Sequence, residues 1–285
     1  MTNDFGKYMF VKPSELKKII SKQLDMESEL ADKLIKNQML YNESNLEYSA
    51  RNKYLMRSIK GHVNTATALH IFVVTTNCNM ACVYCQANNG IESSHLVMDK
   101  ETSEHAVDIA LQSPEYCLSF EFQGGEPLLN FNIIKHIVEY AEVHKGMHEI
   151  SYNVVTNLTL LTDEILDFFI EHNFGISTSI DGNELVHNGN RKFIDGAGTY
   201  KKVLKSIEKI RQAGIHVGAI QTTTRMSLKY PKEIVQTYAS LGFDSIFIRS
   251  LTPLGKAALY WDEIGYSTEE FVEFYKAALD ELLQI

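Results

Sequence analysis

With 285 residues, 45% of them apolar, the chain can bury a large core and form one large domain or two small ones. Its 27 basic and 36 acidic residues give a net charge of −9, which argues against nonspecific nucleic-acid binding. No apolar stretch approaches the roughly 18 residues needed to cross a bilayer. The first ten residues, MTNDFGKYMF, lack the basic start and long apolar run of a signal peptide. The expectation is a cytoplasmic protein without nucleic-acid or membrane partners.

Residues 1–65 read as a small N-terminal α/β segment, too short for much of a core of its own. Within it Tyr8–Val11 has the pattern of a short strand, and Pro13–Ser21 and Ser28–Lys36 have helical patterns. Residues 66–285 read differently. Strand-length apolar runs at Leu69–Asn77, Cys117–Glu126, Glu149–Asn157, Gly175–Asp181, His216–Thr224 and Asp244–Thr252 alternate with helical patterns. The helical patterns include Phe131–His144, Asp163–His172, Tyr200–Ala213 and Pro231–Leu241, and Thr268–Leu283 is the last of them.

Repeated β-then-α units imply right-handed crossovers and a parallel sheet. Six units are fewer than the eight of a closed barrel, so the fold class is α/β, a partial (β/α)6 barrel. Active residues are then expected at the C-terminal ends of the strands. Nothing in the sequence closes the open side of the barrel, so a further C-terminal domain is expected to be missing from this chain.

Three of the four cysteines, Cys78, Cys82 and Cys85, crowd into the eight positions that follow the first strand. Such a cluster suits a metal site in a reducing compartment rather than a disulfide framework. Three thiolates on one short loop can bind three corners of a [4Fe–4S] cubane and leave one iron open. Zinc is the main competitor. It favours four ligands, and no further His or Cys lies in the neighbouring loop; His70 is at the other end of the strand. Cys117 opens the second strand, away from the expected mouth, and takes no role.

The arrangement Cys-x3-Cys-x2-Cys at the end of the first strand, with Tyr84 before the third cysteine, resembles the signature of the radical S-adenosylmethionine (SAM) superfamily. The resemblance covers roughly residues 69–285. It implies a [4Fe–4S] cluster on Cys78, Cys82 and Cys85 whose open iron chelates SAM. Reductive cleavage of SAM would then yield a 5′-deoxyadenosyl radical, with a flavodoxin or ferredoxin as reductant.

Gly124-Gly125-Glu126-Pro127 ends the second strand. Paired glycines let the backbone approach a ligand closely, and a glutamate can accept hydrogen bonds from an ammonium group. One βα unit after the cysteines, this run is similar to the family's SAM-amine motif. Asn157 ends the third strand. Ser179, in Ser179-Ile180-Asp181-Gly182, resembles a position that helps bind the SAM ribose or carboxylate in the peptide-modifying branch, and Arg191, twelve positions on, resembles that branch's carboxylate-binding arginine. A guanidinium suits a carboxylate through two parallel bonds. Leu251, at the end of the sixth strand, matches an adenine-contacting position, and Tyr84 is expected near adenine or the cluster. Asp181 reads as a turn-former with Gly182, and His187 as a loop residue; no catalytic acid or base is assigned.

Phe122–Leu128, Ser179–Gly182 and Gly196-Ala197-Gly198-Thr199-Tyr200 resemble anaerobic sulfatase maturases and other peptide maturases with SPASM-type C-terminal domains. Residues 69–75 look closest to a maturase of His-Xaa-Ser peptide systems. That branch implies a ribosomally made precursor peptide as substrate and a paired radical SAM maturase as partner. It also makes the N-terminal segment a candidate peptide-recognition domain. Two alternatives stay open: a radical SAM enzyme acting on a small metabolite, and a noncatalytic iron–sulfur scaffold.

Overall fold

The computed structural model describes residues 1–3, 6–40, 58, 61, 65–87 and 96–285. Its contacts separate two compact units, Met1–Ala66 and Thr67–Ile285. In the first unit, Pro at the first helical position starts α1 (Pro13–Ile20), and Ser28 caps α2 (Glu29–Lys36) by accepting a hydrogen bond from the Ala31 amide. Ala31 and Leu34 of α2 are buried. The strand expected at Tyr8–Val11 does not form. Tyr8 makes a single bridge to Thr2, and Phe10 is almost fully exposed, with no strand beside it among the described residues.

The second unit is a six-stranded sheet in the order β1-β2-β3-β4-β5-β6, with every neighbouring pair parallel. The strands are β1 (Leu69–Thr75), β2 (Cys117–Gly124), β3 (Glu149–Val155), β4 (Gly175–Ser179), β5 (Val217–Thr222) and β6 (Phe247–Arg249). The larger helices are α3 (Lys100–Ala110), α4 (Phe131–His144), α5 (Asp163–Glu171), α6 (Glu184–Asn190), α7 (Tyr200–Gln212) and α8 (Pro231–Ser240). Two short helices, α9 (Lys256–Leu259) and α10 (Trp261–Ile264), precede the terminal α11 (Thr268–Leu282). The first and last strands do not pair, so the barrel is open.

Alternation along each strand sorts its side chains to two faces. One face of β1 and β2 sends Phe72, Val74, Phe120 and Phe122 into the core, where they meet Ile134, Ile137 and Val138 of α4. Rings stack onward from Phe122 to Phe174 and Phe169. The opposite face lines the interior of the open barrel. There Glu121, Asn153 and Ser177 border a cavity of about 400 Å³ at the lower end. Leu69, Ile71 and Val73 on the edge strand are about half exposed.

Each strand stops two or three residues short of the sequence expectation. Past the ladder the backbone turns inward and its amides find other partners: Gly125 N–H donates to Thr75 O at 2.9 Å, and Glu126 N–H to Asn77 O at 2.8 Å. Helices α3 and α6 are additions to the pattern read from sequence. Residue 187, expected in a loop, lies within α6.

Candidate active site

The cysteine loop leaves β1 at the C-terminal edge of the sheet and is tied down on every side. Asn79 accepts a hydrogen bond from Asn157 Nδ2 at 2.9 Å and donates to Thr159 Oγ1 at 2.8 Å, fixing the loop to the end of β3. Ala81 and Val83 donate their amides to Lys192 O and Asn190 O at 2.8 and 2.9 Å. Met80 forms a bridge with Phe193, and the carbonyl of Cys85 accepts the Lys256 amide at 3.0 Å. Cys78, Cys82 and Cys85 are thereby presented, partly buried, to one cavity of about 420 Å³ at the mouth of the barrel.

The cavity is within the size range of small-molecule sites. Tyr84, Gly124, Gly125, Asn157, Ser179, Arg191 and Leu251 line it alongside the three cysteines. Two sequence-derived candidates stand behind its wall. Pro127 opens a short 3₁₀ turn, and Glu126 is fully buried. Glu126 Oε1 accepts Thr156 Oγ1–H at 2.6 Å and the Leu128 amide at 3.0 Å, while Oε2 accepts the Asn157 amide at 2.8 Å. Burial raises its pKa, and these three donors work against that rise.

The paired glycines serve a backbone contact. Gly124 has φ +146°, and a Cβ there would overlap the Thr75 carbonyl oxygen. A Cβ on Gly125 would overlap the Asn77 carbonyl oxygen. The sequence expects these glycines to admit a ligand; the close approach in the structure is instead between the end of β2 and the root of the cysteine loop.

On the other side of the cavity, Arg191 Nη1 donates to the Tyr84 hydroxyl at 2.9 Å. That hydroxyl donates in turn to the carboxylate of Asp181, with oxygens at 2.8 and 3.0 Å. Asp181 is fully buried and also accepts the Thr222 amide at 3.3 Å, which joins β4 to β5. It is therefore a buried counter-charge rather than a simple turn-former. Burial opposes the charge on Arg191, but the nearby Asp181 carboxylate and the hydrogen bond to the Tyr84 hydroxyl hold the guanidinium protonated. Arg191 Nε is buried and lacks a partner. An unpaired donor of this kind is costly unless a ligand completes it.

His187 is fully buried, and burial pushes its pKa down to about 3, so the imidazole is neutral. Burial raises the Cys78 thiol to about 11 and also raises Cys82, which the charge of Arg191 counteracts. Thr156, Asn79, Asp181 and the strip of backbone at 190–194 were not singled out as site-builders from sequence. Polar residues just past the strand ends were the available signal.

The sequence profile of the radical SAM superfamily matches residues 72–233, more than half of the chain. The chain belongs to the radical SAM superfamily. An uncharacterized protein of Methanocaldococcus jannaschii is 33% identical over 189 residues, covering 66% of this chain and 64% of that protein. The cysteine-type anaerobic sulfatase-maturating enzyme of Clostridium perfringens is 28% identical over 194 residues, covering 66% of this chain and 52% of the enzyme. This radical SAM chain thus spans about half the length of that relative.

Among solved structures, the sulfatase-maturating enzyme anSMEcpe with bound AdoMet superposes with a TM-score of 0.67 at 23% identity, covering 76% of this chain and 60% of that one. Streptococcus suis SuiB bound to S-adenosylmethionine gives 0.59 at 16% identity, covering 95% and 59%. These likenesses establish the fold, an open partial barrel with a parallel six-stranded sheet.

As a member of the radical SAM superfamily, the enzyme uses a [4Fe–4S] cluster and SAM. The residues present fit that pair. Three thiols on one wall are the donor set of a cubane with an open iron, and the Arg191 guanidinium lines the same cavity, its buried Nε without a protein partner. Among the described residues, no three His, Cys, Asp or Glu side chains converge on a single metal ion. Among them, too, no helix is long and apolar enough to cross a membrane.

Proposed function

We propose that this enzyme reductively cleaves SAM for post-translational modification of a ribosomally made peptide or protein. The observation that carries the reading is the single cavity shared by Cys78, Cys82, Cys85, the Gly124-Gly125 turn and Arg191. When bound, the cluster supplies the electron that splits a C–S bond of SAM into methionine and a 5′-deoxyadenosyl radical. Cys78, Cys82 and Cys85 would hold that cluster. Arg191, fixed by Tyr84, offers Nε to the SAM carboxylate. Ser179, at the end of β4, would serve the SAM ribose or carboxylate, and the backbone near Leu251, which lines the same cavity as Tyr84, would serve the adenine. Glu126 acts from behind by holding the glycine turn and Asn157 in place.

A peptide substrate is supported by the sulfatase-maturating relatives and by the structures of anSMEcpe with the Cp18Cys peptide and SuiB with its precursor SuiA. A flavodoxin or ferredoxin as reductant, a paired maturase, and peptide recognition by the N-terminal unit belong to the same proposal. So does the narrower likeness to His-Xaa-Ser maturases.

The test is anaerobic reconstitution followed by reduction with SAM, reading deoxyadenosine and methionine by chromatography. Wild-type protein should bind about four irons and release both products. Replacing Cys78, Cys82 and Cys85 together with Ala should abolish both readouts, and Cys117→Ser should change neither. Iron-loaded protein that never cleaves SAM would reduce it to a scaffold. Adding a candidate precursor peptide and following its mass tests the substrate class.

A further inference from the structure

Arg191 is held at two points. Its guanidinium meets Tyr84, as described, and its main chain is pinned from behind by a chain of buried neutral groups. Thr199 is fully buried, and its hydroxyl donates to Arg191 O at 2.8 Å. Thr199 has one hydroxyl proton, so its 3.1 Å contact with His187 Nε2 must be filled by a proton from the ring. His187 Nδ1 is then an acceptor, and it receives the Asp181 amide at 3.4 Å. Asn188 Oδ1 secures Thr199 from the other side by accepting the amides of Thr199 and Tyr200 at 2.9 and 3.0 Å. Every proton in this line has one direction that satisfies all the groups.

The pinned backbone is the strip that carries the cysteine loop. Asn190 O and Lys192 O accept the amides of Val83 and Ala81, Phe193 bridges Met80, and the Ile194 amide donates to Asn79 O at 3.4 Å. A shift at Arg191 O therefore moves a cation of the site and the support of two cysteines together. We infer that Thr199 and His187 are positioning residues that set the Asn190–Ile194 strip, and with it both cluster retention and SAM affinity. For SAM this rests on the reading of Arg191 given above; for the cluster it rests only on the backbone contacts.

The test compares variants of the full chain, reconstituted anaerobically, with two readouts other than turnover. One is the rate of iron loss to a ferrous chelator, and the other is SAM affinity by calorimetry. Thr199→Val keeps the shape and deletes the hydroxyl. It should lose iron about tenfold faster and bind SAM about tenfold more weakly, the scale of one broken buried hydrogen bond. Thr199→Ser should restore both.

Ile210→Ala, in the core face of α7, should lower the melting temperature yet leave iron loss and SAM affinity unchanged. Arg191→Lys, which keeps the charge but loses the planar edge, should weaken SAM binding with normal iron retention. If Thr199→Val fails to fold, His187→Gln takes its place, since it keeps an N–H toward Thr199 and loses the acceptor for Asp181. It should show the same two defects in smaller measure. Variants at Thr199 and His187 that lower stability as Ile210→Ala does, with both readouts unchanged, would overturn the inference. Unchanged SAM affinity in Arg191→Lys would instead overturn the assignment of Arg191, and iron loss would still decide the role of Thr199.

Discussion

Two carboxylates are fully buried at the mouth of the barrel, and they are satisfied in opposite ways. Glu126, past the end of β2, is surrounded by neutral protein donors: two amides and the Thr156 hydroxyl. Asp181, past the end of β4, shares the Tyr84 hydroxyl with a buried cation. The first corner is closed upon itself and gives the loops their shape. At the second, the arginine keeps one donor without a protein partner, so that corner is preorganised for a negatively charged group. Neutral donors hold an anion in place as structure, whereas a paired cation is what lets the same wall receive a ligand.

The sharpest way to break this contrast is to neutralise Asp181. Asp181→Asn leaves the Arg191 charge buried without compensation, and urea denaturation should report a loss on the order of 3 kcal/mol. Glu126→Gln, of equal size, presents an NH2 group to at least one of the existing donors. It should cost about 1–2 kcal/mol in the same assay, and a loss greater than that of Asp181→Asn would reverse the ranking of the two corners.

A smaller effect comes from pH. The folded pKa of His187 lies far below its ordinary value, so on acidification the unfolded chain binds a proton that the folded chain refuses. Stability from this residue is fully present above about pH 6.5 and falls toward the folded value of about 3, by up to about 1.4 kcal/mol per pH unit. His187→Gln should flatten the acid limb of the stability curve measured between pH 6 and 4. An unchanged slope would show that another group carries it.

Apolar runs of strand length located all six strands, because these segments send side chains into a core of phenylalanine and aliphatic residues. They overshot the strand ends because Thr156, Ile180 and Leu251 continue the apolar or β-branched pattern after the ladder has ended. The helix at Lys100–Ala110 is obscured by a polar first turn, although Asp99 caps it. The one at Glu184–Asn190 carries Asn188 and Gly189 in its interior, which disfavour helix and give the stretch the look of a loop. The cysteines and the glycine pair were legible as local motifs. The two roles of Tyr84 and the burial of Asp181 and His187 were not, since each depends on contacts with residues distant in sequence.

The strands lie side by side in the order in which they are made. A sheet of this kind can grow strand by strand as the chain leaves the ribosome, each new unit docking on the previous one. The cysteine loop is the exception. It emerges directly after the first strand, but the carbonyls that support Ala81 and Val83 belong to Asn190 and Lys192, beyond the fourth. The mature geometry of the three thiols therefore depends on a strip that lies far later in the chain than the cysteines and the β3 end that also holds their loop. The thiols come early in the chain, but the backbone that fixes their loop belongs to the fourth βα unit, so the site is a product of the folded sheet rather than of the cysteine motif alone.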